Sequence, residues 1–162
     1  MKGDKFPDIP FESLSFPPAE LKIVRRNGIY KVFDRLRKNY FCLTEEEFIR
    51  QCFVSWMIDH LKYPASLMAN EVGIRLNETI KRCDTVVYSS FGNPLMIVEY
   101  KSPKISISQE VFDQIVRYNM VMEAPYLIVS NGLNHFCCKI DLENKSYKFL
   151  QSVPTYPELL SL

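Results

Sequence analysis

The chain of 162 residues reads as an α/β protein, a mixed central β-sheet with helices packed on it, preceded by an extended arm and a β-hairpin. Three observations support that class. Two alternating apolar runs flank an Asn27-Gly28 pair; two stretches combine helix-period apolar positions with capping residues; and β-rich runs recur between and after them. With 47% hydrophobic and 24% charged residues, the composition suits one folded domain with a core. The expected organisation is an arm at residues 1–20 and a single domain at 21–162.

The arm is proline-rich and has few periodic apolar positions, so it is expected to lie extended over the domain. LKIVRR and IYKVFD then flank Asn27-Gly28, a pair that tolerates positive φ at both turn positions and so predicts a hairpin. Thr44 and Glu47 form a capping-box pattern, in which a hydroxyl and a carboxylate satisfy the free amides of a first helical turn. Apolar residues at 48, 49, 52, 53, 56, 57 and 61 give that helix one broad face, ending at Tyr63-Pro64. Trp56 reads as core and His60 as a surface group. Residues 71–76 are expected to form a strand that pairs with the stretch KRCDTVVYSSFGNPLMIVEYK at 81–101. Within that stretch, TVVY and PLMIVEY are joined by a Gly-Asn-Pro turn segment and predict a central hairpin. Ser102-Pro103 stops the second strand. Ser106 and Gln109 repeat the capping-box pattern, opening a helix to about residue 123 with Val111, Phe112, Ile115, Val116 and Met122 inward. Strands at 126–129, 135–140 and 147–150 follow, then a short C-terminal helix.

Composition excludes several classes. The N-terminus lacks an apolar signal region and no apolar run reaches membrane-span length, so a cytoplasmic protein with no membrane contact is expected. Five cysteines with no C-x-x-C pair argue against a zinc or redox site and for reduced thiols. The five glycines are isolated, at 3, 28, 73, 92 and 132, so no phosphate-binding loop and no ATP site is expected. Net charge is only +1, but Lys22, Arg25, Arg26, Lys31, Arg35, Arg37 and Lys38 accompany the single acid Asp34. That run reads either as a solvated face or as a nucleic-acid-binding patch.

The central hairpin carries the chemistry. Alternation puts Leu95, Ile97, Glu99 and Lys101 on one face and Met96, Val98 and Tyr100 on the other. Simple antiparallel register sets 88 against 95, 86 against 97 and Asp84 against Glu99. Like charges in that position are costly unless something positive lies between them, a metal ion or Lys101. Asp84, Glu99 and Lys101 together form the D-x(n)-E-x-K pattern of metal-dependent nucleases. Two carboxylates and the backbone carbonyl of Tyr100 could hold Mg²⁺, or Mn²⁺, beside a scissile phosphate, while Lys101 orients or helps deprotonate the attacking water. Alone, E-x-K also fits a solvated charge pair on an edge strand.

Taken in order, the blocks FDRLRKNY, LTEEEFIRQ, KRCDTVVY, MIVEYKSP, VFDQIVRYN, APYLIVSNG and HFCCKID make the chain, from about residue 32 to 158, resemble the N-terminal nuclease domain of type I restriction enzyme R subunits. That family is a branch of the PD-(D/E)XK superfamily, and the resemblance is to its stand-alone form, for which no translocating ATPase like that of full R subunits is expected. The resemblance implies a restriction-endonuclease-like three-layer core and Mg²⁺-dependent cleavage of DNA. It makes Asp84 and Glu99 metal ligands and Lys101 the catalytic lysine. An acid on the first core helix would complete the site, either Glu46 or Glu47: the capping box claims Glu47 and the helical wheel favours Glu46. Gln114 and Tyr118 match the family's Q-x-x-x-Y element, associated with the nuclease site and DNA contact. Expected partners are DNA and, beyond it, other restriction-system subunits or a second copy of the chain in a homodimer. The alternative reading is a nuclease-like DNA-binding or assembly subunit that does not cut.

Overall fold

The computed structural model describes residues 5–162, so the first four residues of the arm lie outside it. β1 (Ile23–Arg26), β2 (Ile29–Asp34) and β3 (Asn39–Cys42) form an antiparallel three-stranded sheet in that order. Asn27 and Gly28 take φ of 52° and 78° between the first two strands, as the dipeptide predicts. The third strand is absent from the sequence reading because it is only four residues long and its turn is made by a side chain. The fully buried Asp34 carboxylate accepts from the amides of Leu36 (2.7 Å) and Arg37 (3.0 Å), and Lys38 closes the turn at φ 55°.

The larger sheet has six strands in chain order: β4 (Met68–Leu76), β5 (Thr79–Tyr88), β6 (Pro94–Tyr100), β7 (Tyr126–Ser130), β8 (His135–Asp141) and β9 (Ser146–Phe149). Every neighbouring pair is antiparallel except β6 and β7, which run parallel. A parallel pair needs a crossover, and α2 (Gln109–Met120) supplies it. α1 (Glu45–Asp59) covers one face of the sheet, with Ile49, Phe53 and Met57 packed in one cluster with Met96, Val98 and Ile128. On the opposite face, Phe112 and Val116 of α2 pack with Ile97, Leu127 and Val129. The result is a three-layer α/β fold. Each of these fully buried side chains contributes roughly 1.5–3 kcal/mol by leaving water. The arm belongs to the first cluster through Ile9 and Phe16, and the Ser15 amide donates to the Gly132 carbonyl at 2.9 Å. Gly132 sits at φ 83°, where a Cβ would collide with Ile49. α3 (Tyr156–Ser161) closes the chain with a full capping box between Thr155 and Glu158.

Four local expectations are corrected. Only half of the capping box on α1 forms: Thr44 Oγ1 accepts from the Glu47 amide at 3.0 Å, but the Glu47 carboxylate turns to Arg37, Arg50 and Gln51 instead. α2 is capped by Ser108, which accepts from the Val111 amide at 3.2 Å, so Ser106 and Gln109 make no capping box and the helix ends at Met120. In the central hairpin Thr85, Val86 and Val87 oppose Val98, Ile97 and Met96 as expected, but a bulge shifts Tyr88 onto Pro94. Finally, the strand expected at 71–76 starts three residues earlier, at Met68, and face alternation breaks within it and along β5. Glu71 adopts φ 55°, and the faces switch there: Met68 and Val87 pack with α1, whereas Val72, Ile74 and Cys83 pack with α2. All five cysteines are free thiols.

Candidate active site

Past Thr85 and Val98 the regular β5–β6 ladder stops, and a side chain takes over its hydrogen bonding. Asp84 Oδ2 accepts from the Tyr100 amide at 2.9 Å, which holds the Asp84 carboxylate against the end of β6 beside Glu99. Glu99 in turn lies within hydrogen-bonding reach of Asp84. Burial, then the charge of Asp84, pushes the Glu99 carboxyl up to about 8, with Lys81 and Lys101 only partly opposing. Among the described residues, Glu99 Oε1 is buried without a hydrogen-bond partner. Two carboxylates this close are stabilised by a proton or a cation between their oxygens.

Lys101 follows β6, half-buried, with its amide anchored on the Ser130 carbonyl at 2.8 Å. It has no ion-pair partner within 4 Å among the described residues, although its charge acts on both Glu46 and Glu99. Glu46 stands at the solvent edge of this group. Partial desolvation and the Asp84 carboxylate push its carboxyl up, against Lys101 and Arg50. Asp84 and Glu99 thus stand together at the end of β6, with the charges of Lys101 and Glu46 acting on them. The neighbouring Glu45 ties the start of α1 to the loop after β6, through Ser102 and through Lys104 at 2.7 Å.

Glu47 is not part of that group. It is buried and paired with Arg37 (2.8 Å) and Arg50 (3.2 Å) and accepts from Gln51 Nε2 (3.0 Å). The helical turn of about 100° per residue sends two adjacent glutamates to different neighbourhoods, one to the site and one to a buried ion network. That network starts at Asp34–Arg37 (2.5 Å), passes through Glu47 to Arg50, and reaches Glu71 and Asp84 (3.6 Å from Arg50). Burial would raise the Asp34 carboxyl, but hydrogen bonds from Arg37, Asn70 and Leu36 outweigh it and hold it below the usual range. The Tyr100 ring is fully buried, its hydroxyl sharing a 2.9 Å hydrogen bond with Thr85.

Sequence reasoning missed Lys81, Arg50 and Glu71. The Lys81 ammonium is buried, donates to the Tyr118 carbonyl (2.7 Å) and Asn119 Oδ1 (2.8 Å), and stacks 3.7 Å from the Tyr118 ring centroid. Burial pushes it down to about 8, with Cys83 and Glu99 pulling the other way. The only hint in the sequence was its place three residues before Asp84. Tyr118 thus meets Lys81 and none of Asp84, Glu99 or Lys101 by hydrogen bond, and Gln114, one turn earlier, is exposed and makes no side-chain hydrogen bond among the described residues. In the basic hairpin, Arg37 is spent on Asp34, Glu47 and the Phe41 ring (3.4 Å), and Arg35 on Asp59 (2.8 Å). Lys22, Arg25 and Arg26 lie over Phe33, Tyr30 and Tyr40, and Lys31 and Lys38 complete the cations still open to a partner.

The donor set suits a hard divalent cation of modest demands. Among the described residues no three His, Cys, Asp or Glu side chains gather into a ligand cluster. Mg²⁺, however, is commonly held by one or two carboxylates with water completing the shell. Asp84 and Glu99, with the unpartnered Glu99 oxygen, fit that habit. No helix among the described residues is long and apolar enough to cross a membrane. Residues 45–154 match the family model described as Type I restriction enzyme R protein N terminus (HSDR_N), and no curated protein matches the chain.

Proposed function

From the premise that this chain belongs to the family of type I restriction enzyme R protein N termini, we propose that it is a metal-dependent DNA endonuclease. The family supports a nuclease-related role in a restriction system, with DNA and other restriction-system subunits as partners. The observation that carries the finer reading is the Asp84–Glu99 pair with its buried, unpartnered oxygen, placed beside Lys101. Asp84, Glu99 and the Tyr100 carbonyl would hold Mg²⁺ or Mn²⁺, which when bound neutralises charge building on a phosphoryl oxygen. The residues do the rest. Glu99, its proton lost to solvent, would be the second carboxylate, Lys101 would orient the water and its proton, and Glu46 would supply a further acid at the open side. Lys81, locked in its hydrogen bonds, is a positioning charge behind Glu99.

Supercoiled plasmid incubated with the purified protein and Mg²⁺ or Mn²⁺ tests this. Wild type should nick or linearise it, and Lys101→Ala should lose at least about 100-fold, the scale of general acid–base assistance. Equal cutting by the two proteins refutes the assignment. The absence of a three-acid cluster among the described residues favours one rival, a nuclease-like DNA-binding or assembly subunit. That reading predicts retention of DNA without cutting under every metal condition.

A further inference from the structure

A groove of about 960 Å³ runs between the tip of the β4–β5 hairpin and the last turns of α2. We propose that it binds an unpaired DNA strand and leads it past the Asp84–Glu99 pair, an inference that rests on the nuclease reading of that pair. Its lining includes Arg75, Lys81 and Arg117 and contains no acid. Arg75 and Arg117 are exposed and make no ion pair within 4 Å among the described residues. Arg35, Arg37, Arg50 and Arg82, by contrast, are all paired with carboxylates. Two uncommitted guanidiniums across an acid-free groove are what a phosphate backbone needs.

Apolar faces line the same groove. Ile80 is 75% exposed, Tyr118 60% and Val121 57%, in a protein that buries most of its large apolar side chains. Lys81 covers one face of Tyr118 at 3.7 Å and leaves the other open. A duplex would present mainly sugars and phosphates to this surface, whereas an unpaired strand brings base faces that can stack on the Tyr118 ring and cover Ile80 and Val121. Lys81 is also the link to the site, because it lines the groove and lies on β5 three residues before Asp84.

Fluorescence anisotropy with a labelled single-stranded oligonucleotide and the matching duplex, in EDTA so that nothing is cut, tests the assignment. The double variant Arg75→Ala/Arg117→Ala should bind the single strand at least about 10-fold more weakly. The slope of log affinity against log salt should fall by about 1.4, two contacts at roughly 0.7 each for single strands. Ile80→Ser should weaken binding about 5-fold, the scale of one lost apolar contact with a base, with the slope unchanged. The control Lys145→Ala/Lys148→Ala removes two charges at the far edge of the sheet, beside and on β9, and should bind as wild type. Wild-type affinity in the Arg75/Arg117 variant overturns the proposal, as does an equal loss in the control. Tighter duplex than single-strand binding overturns the unpaired-strand assignment. Since cutting is not measured, a failed plasmid assay leaves the groove standing, and normal cutting with unaltered binding in the Arg75/Arg117 variant removes the groove alone.

Discussion

Replacing Glu99 by glutamine should make the metal-free protein more stable, and the gain should grow with pH. Glutamine imitates the protonated carboxyl in shape and can still donate to Asp84, but it never ionises. The wild-type carboxyl lies at about 8 in the folded state against an ordinary 4.5. A raised carboxyl pKa stabilises the fold fully below the unfolded value, and that contribution is lost as pH rises through the folded value. The window is therefore pH 4.5 to about 8. At roughly 1.4 kcal/mol per pKa unit the ceiling is about 4–5 kcal/mol. Proton sharing with Asp84 and water entry at the half-buried site reduce this to an expected gain of about 2 kcal/mol for Glu99→Gln at pH 8.5. With a urea m-value near 2 kcal/mol/M, typical for this size, the midpoint should rise by about 1 M. At pH 5 in EDTA the two proteins should have nearly the same midpoint. With Mg²⁺ at pH 8.5 the order should narrow or reverse, because only wild type gains the binding energy of the cation. A difference that does not change with pH, or a Glu99→Gln protein less stable than wild type at pH 8.5 in EDTA, refutes the reasoning.

Two further perturbations probe the scaffold. Ser108→Ala should cost about 1 kcal/mol in urea unfolding through loss of the α2 cap, while Ser106→Ala should stay within roughly 0.5 kcal/mol; the reverse ranking would restore the capping box read from the sequence. Asp34→Asn leaves the Arg37 guanidinium short of its anion and should cost about 2–4 kcal/mol at pH 7. Because the Asp34 carboxyl is held below its ordinary value, that deficit should shrink as pH falls below about 4, when wild type loses the same interaction; a deficit independent of pH between 7 and 3 would count against the ion network.

The resemblance drawn from seven short blocks agrees with the family match over residues 45–154, and the α/β layers follow the expected order of elements. Local chemistry explains why these were readable. Asn27-Gly28 permits few turns other than the one it makes, Thr44 caps α1 with its own hydroxyl, and the apolar alternation of β6 separates Met96 and Val98 from Ile97 across the sheet. Errors arose where a longer-range partner outbid a local one. Glu47 abandons the helix cap for Arg37 and Arg50. Arg37 carries the same charge as Arg26 in sequence but is withdrawn into the interior by Asp34. Glu71 breaks the period of two at a positive φ that is costly for a side chain, and Arg50 and Arg82 both hold its carboxylate there.

By itself the sequence determined that Asp84 and Glu99 lie on neighbouring strands with Lys101 just past the end of the second, since turn chemistry and strand alternation act over a few residues. Tertiary packing alone decided that Lys81 is buried against Tyr118 and Asn119, that Glu47 is drawn into pairs with Arg37 and Arg50, and that Arg75 and Arg117 border one acid-free groove. Charges choose partners by distance in space and by burial, and neither exists until α1 and α2 have closed over the sheet.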